Sequence, residues 1–340
     1  MPIDEEEIKI LREELSSSYN PLFFFDDDAD GLSSFIMAYD TSSEGHGVII
    51  KTTPRIDAKF LPKVFEYSPD KVIILDIAEV EQDFIDAAKT KIIWVDHHQP
   101  QQRSNVLYFN PLKNSSVTCP TSYIIYQATK KKIWLAMAGC VGDWHIPDFK
   151  DEFVSKYPDL FEGNPTKPDA ALFTTRIGKL AKIISFVLKG TTKDAMTCVK
   201  IMTRINEPYE IFEQSTSQGK YLWRRFTKTE ERYNQLLSEV KPGKGNVVEH
   251  IYSGDNMSFT SDLSNELLFL HPNKVILVGR DRNDEIKMSL RSKSLDILGA
   301  AEKSLMGLEG FVGGHHQACG GMVKKKDYKK FLANLELNIK

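Results

Sequence analysis

Nine acidic or imidazole side chains fall where short apolar runs stop. Pro21-Leu22-Phe23-Phe24-Phe25 is followed by Asp26-Asp27-Asp28-Ala29-Asp30-Gly31, Lys71-Val72-Ile73-Ile74-Leu75 by Asp76, and Lys91-Ile92-Ile93-Trp94-Val95 by Asp96-His97-His98. Asp143 stands at the end of the apolar stretch Ala138-Gly139-Cys140-Val141-Gly142. Carboxylates gathered at one place repel one another strongly unless a cation lies between them. A set of carboxylates with one or two imidazoles suits Mn²⁺, Mg²⁺ or Zn²⁺, and its oxygen-rich share favours Mn²⁺ or Mg²⁺. Six or so ligands are too many for one catalytic ion that must also hold water. They are enough for two ions about 3.5–4 Å apart, the arrangement used for phosphoryl transfer to water. Each feature alone also has a plain reading: an acidic helix cap at Asp26 to Asp30, another at Asp76, packing for His97 and His98. It is their coincidence, in this order, that favours a metal centre.

These residues need a scaffold that brings strand ends together. Apolar runs of five residues are too short for buried helices and typical of parallel strands covered on both faces. Gly47 to Lys51 is a further strand. Leu32 to Tyr39, Lys59 to Tyr67 and Val80 to Ala88 read as helices between strands, residues 1–20 as a short helix, and residues 119–142 as two more. Such alternation predicts a doubly wound parallel α/β sheet with right-handed crossovers. In such sheets ligands bind outside the carboxyl ends of the strands, where the acidic residues lie.

From about Asp151 to Val240 the pattern changes to long helical stretches rich in Lys, Glu and Arg, and Lys241-Pro242-Gly243-Lys244-Gly245 reads as a linker. Beyond it, Val247 to Tyr252, Val275 to Gly279 and Glu285 to Arg291 read as strands, and Leu295 to Leu305 and Tyr328 to Leu337 as helices. The expected organisation is a catalytic α/β domain over 1–190, a helical connector and linker over 191–244, and a smaller α/β domain over 245–340.

The 340 residues suit two domains, and 41% hydrophobic with 27% charged residues excludes wholesale disorder. No apolar run approaches the ~20 residues of a membrane span, and the acidic, amphipathic start is unlike a secretory signal. Cys119, Cys140, Cys198 and Cys319 form no CxxC pair, which suits a reducing cytosol and excludes a thiolate zinc site or a disulfide scaffold. The expectation is a cytoplasmic protein with no membrane partner. Residues 1–150 carry 15 Lys+Arg against 23 Asp+Glu, and the remainder carries 29 against 24. An acidic half joined to a mildly basic half fits a metal site beside a surface that tolerates phosphate. There is no long Lys/Arg block of the kind that grips duplexes without regard to sequence.

Taken together, these motifs resemble the DHH phosphoesterase family in its subgroup with a DHHA1 domain, in the branch of RecJ-like exonucleases and nanoRNases. Asp26-Asp27-Asp28-Ala29-Asp30-Gly31 is similar to the DxDxDG motif, Asp76 to the lone Asp after a strand, Asp96-His97-His98 to the name-giving motif, and Gly142-Asp143 to the fourth. Gly313-Gly314-His315-His316-Gln317-Ala318-Cys319-Gly320 resembles the DHHA1 signature, a GGH followed by a small-residue turn, and Ser289-Leu290-Arg291-Ser292 its Arg strand. The resemblance implies a two-metal site, with Asp28 on the first ion, Asp30, His97 and Asp143 on the second, and Asp76 bridging both. Asp96 would orient a His, His98 would face the scissile phosphate, and Gly313, Gly314, His315, His316 and Arg291 would hold the substrate. Many members have a His at the place of Phe24; here Asp26 is expected to supply the ligand instead.

Within the family the carboxylates and histidines argue against a non-catalytic replisome factor of the Cdc45 type. The reading is a single-strand exonuclease acting on DNA or RNA, of the compact archaeal RecJ-like design, with two divalent ions, Mn²⁺ first and Mg²⁺ second. The alternative is a nanoRNase acting on short oligonucleotides, with 3′-phosphoadenosine 5′-phosphate as a further substrate. A homodimer and a replication or repair partner are compatible with either. Among weaker candidates, His145 reads as packing, Tyr221 to Phe226 as a core face rather than a base-stacking one, and Lys324 to Lys326 as a solvated turn. Asn110-Pro111 with Ser115-Ser116 reads equally as cleft lining or plain loop.

Overall fold

The computed structural model describes residues 3–339 apart from 43, 52–54, 244 and 255–256. Lys244 of the expected linker, and Met1 and Pro2 of the expected first helix, lie outside the described residues. The chain divides into two compact units, Met1–Phe226 and Thr227–Lys340.

In chain order the first unit carries strands β1 (Leu22–Asp26), β2 (His46–Ile50), β3 (Arg55–Ile56), β4 (Lys71–Leu75), β5 (Glu79–Val80), β6 (Lys91–Val95) and β7 (Leu107–Phe109). Five of them form one sheet in the order β2-β1-β4-β6-β7, and every pairing is parallel. β3 and β5 make a separate parallel pair. Helices α1 (Glu5–Ser16), α2 (Ala29–Ser42), α3 (Leu61–Tyr67), α4 (Gln82–Ala88), α5 (Thr121–Thr129) and α6 (Ile133–Gly142) alternate with or follow the strands. The unbroken apolar character of the central strands follows from burial on both faces: Phe23, Phe24, Ile73, Ile74, Ile93 and Trp94 are all fully buried. Phe24 packs edge-on against Phe60 and Phe84, so the position for which the resemblance implies a His in many members is core here.

The sheet is the expected doubly wound one, with one strand more than the sequence reading gives. β7 has three residues, too few to show a period, and docking defines it: Tyr108 stacks on Trp94 with ring centroids 4.0 Å apart. Beyond Asp143 the chain is helical, with α7 (Lys150–Lys156), α8 (Pro168–Thr174), α9 (Arg176–Val187), α10 (Thr192–Met202), α11 (Tyr209–Phe212) and α12 (Ser217–Glu239). The boundary between the units falls within α12.

The second unit holds β8 (Val247–Ser253), α13 (Thr260–Leu270), β9 (Val275–Arg282), β10 (Glu285–Arg291), α14 (Ile297–Leu305), β11 (Gly310–His315), β12 (Ala318–Lys324) and α15 (Tyr328–Asn338). Its sheet runs β11-β12-β10-β9-β8, parallel between β8 and β9 and antiparallel elsewhere. One face packs its own core, including Leu277, Ile286, Leu290, Ile297 and Phe331. The sequence reading lacks α13 and takes Gly313 to His315 as part of a motif leading into a turn. These three residues form the end of the edge strand β11, with Gly314 at φ +137°, and His316 and Gln317 make the turn that follows.

Candidate metal centre

The carboxyl ends of β1, β4 and β6 and the end of α6 converge on one place. β1 ends at Asp26 and α2 starts at Ala29, so Asp28 falls in the tight passage between strand and helix and Asp30 in the first turn of α2. Gly31 makes that passage feasible: a Cβ there would lie 2.6 Å from the Asp26 carbonyl oxygen and 2.8 Å from its nitrogen. Asp28 Oδ1 accepts a hydrogen bond from the Gly31 N–H at 2.9 Å, so a helix cap and a potential metal ligand coincide in one side chain. Asp76 follows β4 with φ +60°, left-handed backbone that Asp tolerates better than most residues, and its N–H donates to the Val95 carbonyl at 3.0 Å. Asp96 continues β6 in the same way, donating to the Phe109 carbonyl at 3.0 Å. Asp143 is the residue at which α6 stops.

Three sets of potential ligands result, in each of which the ligand atoms lie within 4.8 Å of one another: Asp26 with Asp28 and Asp76, Asp30 with His97 and Asp143, and Asp76 with His97 and His98. All six residues expected to hold metal are therefore brought together. Asp76 and His97 each belong to two sets. His97 lies between two carboxylates, its Nε2 3.3 Å from Asp76 Oδ1 and its Nδ1 3.6 Å from Asp143 Oδ2. Asp30 is held by the start of α5, whose Thr121 and Ser122 N–H groups donate to its two oxygens at 2.8 and 2.9 Å. Thr121 Oγ1 donates to Asp76 Oδ1 at 3.3 Å. These contacts escape the sequence reading; the Pro120-Thr121-Ser122 sequence before an apolar helix is the signal that could have given them.

The electrostatics call for positive charge. Burial, then the charge of Asp76, raises Asp30 to about 7. Asp28 is raised to about 7 by burial and by Asp30, and Asp143 to about 7 by burial and by Asp30 and Asp76. Asp26 and Asp76 are likewise raised, by burial first and then by Asp28. Carboxyl groups that hold protons this tightly are poised to exchange them for a divalent cation. The donor set, five carboxylates and one or two imidazoles, suits such an ion. Phe24 lies outside these sets, and Asp26 stands in the first of them.

Beside the ligands lies a fully buried carboxylate with a different task. Asp96 Oδ1 is 2.7 Å from His98 Nδ1, and Asp96 Oδ2 accepts from the His98 N–H at 3.1 Å. Asn110 Nδ2 donates to the His98 carbonyl at 2.9 Å and to the Tyr108 hydroxyl at 2.8 Å, which closes the network behind the ring. The sequence left Asn110 between cleft and loop; it is a positioning residue. Burial lowers the His98 pKa, and the hydrogen bond and charge of Asp96 outweigh this and raise it. His145 stacks edge-on against Tyr123 at 6.0 Å, a packing role, and Leu222 and Phe226 are buried, so that segment is a core face.

In the second unit the register lines Arg291, Ala318 and His315 in one row across β10, β12 and β11. Gly313, Gly314, His315 and His316 are exposed, while the Arg291 guanidinium is engaged within its own unit. Its Nε donates to Asn265 Oδ1 at 2.8 Å, Nη2 to Ser261 Oγ at 3.0 Å, and Nη1 to the Leu290 and Cys319 carbonyls at 2.9 and 3.2 Å. His316 Nδ1 lies 3.1 Å from Asp296 Oδ1. Lys324, Lys325 and Lys326 pair with Glu285, Asp281 and Glu309. Among the described residues no helix is long and apolar enough to cross a membrane.

No curated protein matches the sequence. Among solved structures, exonuclease RecJ bound to manganese matches with a TM-score of 0.61 at 14% identity, over 99% of this chain and 94% of that one. RecJ in complex with Mn²⁺ from Thermus thermophilus gives 0.64 at 14% identity, and there the match spans 99% of this chain and 55% of RecJ. The DHH domain of PF0399, described as a member of the s1p family of ribosomal proteins, gives 0.63 at 13% identity, over 100% and 93% of the chains. At such identity the likeness is one of fold. Residues 22–142 match the DHH family N-terminal domain and residues 245–340 the DHHA1 domain. The chain belongs to the DHH family of phosphoester hydrolases, in the form that carries a DHHA1 domain.

Proposed function

We propose that this protein is an exonuclease of single-stranded DNA or RNA that releases nucleoside 5′-monophosphates with two divalent ions, Mn²⁺ by preference and Mg²⁺ second. The observation that carries the reading is the overlap of the ligand sets: Asp76 links Asp26 and Asp28 to His97, and His97 links Asp76 to the set with Asp30 and Asp143, a pattern suited to two ions rather than one. In this reading Asp26 and Asp28 hold one ion, Asp30, His97 and Asp143 the other, and Asp76 both. Bound there, the ions would neutralise phosphoryl oxygens and acidify a water for in-line attack. The fold likeness to RecJ over 99% of this chain and 94% of that one supports the exonuclease branch.

The chain's own residues do the rest. Asp96 fixes the His98 ring through Nδ1, which leaves Nε2 as the reactive nitrogen. The hydrogen bond and charge of Asp96 raise the His98 pKa and favour a proton on the ring, which His98 can offer from Nε2 to a phosphoryl or leaving oxygen. Asn110 and Tyr108 fix Asp96 and the loop that carries His98. Thr121 and Ser122 hold the Asp30 carboxylate and keep both its oxygens in place. In the second unit Gly313, Gly314, His315 and His316 grip the substrate through open backbone and exposed imidazoles. Arg291 lends them shape and positive charge from behind.

The test is a Mn²⁺-supported time course on end-labelled single strands and on a dinucleotide, each as DNA and RNA. Progressive shortening of the long strand is expected. Turnover of the dinucleotide alone would replace the proposal with the nanoRNase reading, and silence on both would remove the catalytic one.

A further inference from the structure

The sheet of the second unit buries one face and leaves part of the other bare. Val312 packs into the core, so its neighbours Phe311 and Gly313 point away from it. The register then gives two rows beyond that of His315, Ala318 and Arg291. The first is Gly313, Gly320, Ser289 and Val278; the second is Phe311, Met322, Lys287 and Arg280. Phe311 is 61% exposed, an unusual setting for a phenylalanine on an edge strand. A Cβ at Gly313 would meet nothing within 4 Å, so the Gly313–Gly320 end of the middle row is a floor open to close approach, while Ser289 and Val278 at its other end are buried. Lys287 is exposed, and Arg280 keeps a buried Nε without a hydrogen-bond partner among the described residues. No carboxylate belongs to the three rows, and Glu285 just outside them is taken by Lys324 at 2.9 Å.

We propose that this face is a track for a single polynucleotide strand, extending the grip of the exposed glycines and histidines by at least one nucleotide. A base stacks on Phe311 against Met322, a phosphate lies over Lys287 with Arg280 behind it, and the Gly313–Gly320 floor lets the backbone settle between. The combination of aromatic surface, glycine and available cations is what an anionic, base-bearing chain requires. An apolar partner would have no use for the cations. The inference rests on the reading of the chain as an enzyme of single strands, and it assigns length preference to Phe311, Met322, Lys287 and Arg280, which lie outside the motifs quoted above.

The experiment reads binding without hydrolysis. Fluorescence anisotropy of a labelled twelve-nucleotide single strand, as RNA and as DNA, is followed in EDTA for the wild type and for Phe311→Ala, Phe311→Tyr and Lys287→Glu. Phe311→Ala should weaken binding about tenfold, and Phe311→Tyr should restore it, since stacking needs only the ring. Lys287→Glu should weaken it at least as much and flatten its salt dependence. Affinities unchanged within twofold for both Phe311→Ala and Lys287→Glu would overturn the track. So would a Phe311→Ala variant that sediments as a monomer where the wild type is a dimer, with strand affinity intact, because the face would then be a self-association surface. Phe311-dependent binding in a protein that hydrolyses no strand would uphold the track while removing the exonuclease reading.

Discussion

Asp96 and His98 are joined twice, ring to carboxylate at 2.7 Å and backbone N–H to carboxylate at 3.1 Å, although only one residue separates them. The carboxylate is wholly buried while its His is partly open, so the pair couples a rigid interior to a reactive edge. Asp96→Asn keeps the shape and removes the charge. It should lower kcat about 10–100-fold, as losses behind a catalytic His do. It should also move the alkaline limb of the kcat–pH profile to lower pH, because the charge that raises the His98 pKa is gone. A pH profile on a fixed single-strand substrate reads both effects.

Asp76→Ala should reduce turnover to background, since a carboxylate shared by two ligand sets has no neighbour able to replace it. Activity near that of the wild type would sink the two-ion reading. Calorimetric titration of the variant with Mn²⁺ should show lost or halved binding rather than a mere change in heat.

Metal-free protein should be least stable at high pH. Asp28, Asp30 and Asp143 each bind a proton more tightly folded, at about 7, than a free aspartate at 3.8. Their contribution is therefore complete below about 4 and lost as pH rises through about 7. Added cation takes the place of those protons, so its stabilisation grows over the same window. Thermal midpoints with EDTA and with Mn²⁺, compared at the two ends of the window, check this, and a metal effect independent of pH would contradict it.

Gly31→Ala should damage the fold and the site together. The new methyl would meet Asp26 backbone atoms at 2.6 and 2.8 Å, which cannot swing aside as a side chain could. A cost of about 1–3 kcal/mol is expected from urea unfolding, with a loss of activity larger than the stability change explains.

His315→Ala should raise KM far more than it lowers kcat, as befits a group that holds phosphate away from the reacting atoms. Arg291→Ala should do this and also lower the melting temperature, because its guanidinium is bound to Asn265, Ser261 and two backbone carbonyls. A pure kcat loss for His315→Ala would place it at the chemical centre.

The strands that carry the ligands were readable because burial on both faces writes itself into the sequence as an unbroken apolar run, as in Lys71–Leu75 and Lys91–Val95. The acidic motifs were readable because nothing else explains so many carboxylates at strand ends. What escaped depends on tertiary contact. β7 exists through Trp94 and Tyr108, and the hold of Thr121 and Ser122 on Asp30 joins residues 91 and 92 positions apart. The turn after Gly313-Gly314-His315 was readable and falls at His316 and Gln317, whereas the edge strand that ends in those three residues was not, because paired glycines carry no apolar pattern.

The backbone at Asp76 bears on how such an enzyme diverges. Its φ of +60° is comfortable for glycine and asparagine as well as aspartate, and awkward for nearly everything else. Asparagine and glycine are each a single-base codon change from aspartate. Position 76 therefore offers a lineage a direct exit from chemistry, in which the charge common to two sets of potential ligands disappears while the turn, the sheet and the second unit stay as they are. Gly31, locked against Asp26, offers none. Descendants that keep this architecture as a scaffold would be expected to record their loss of catalysis at position 76 before any other.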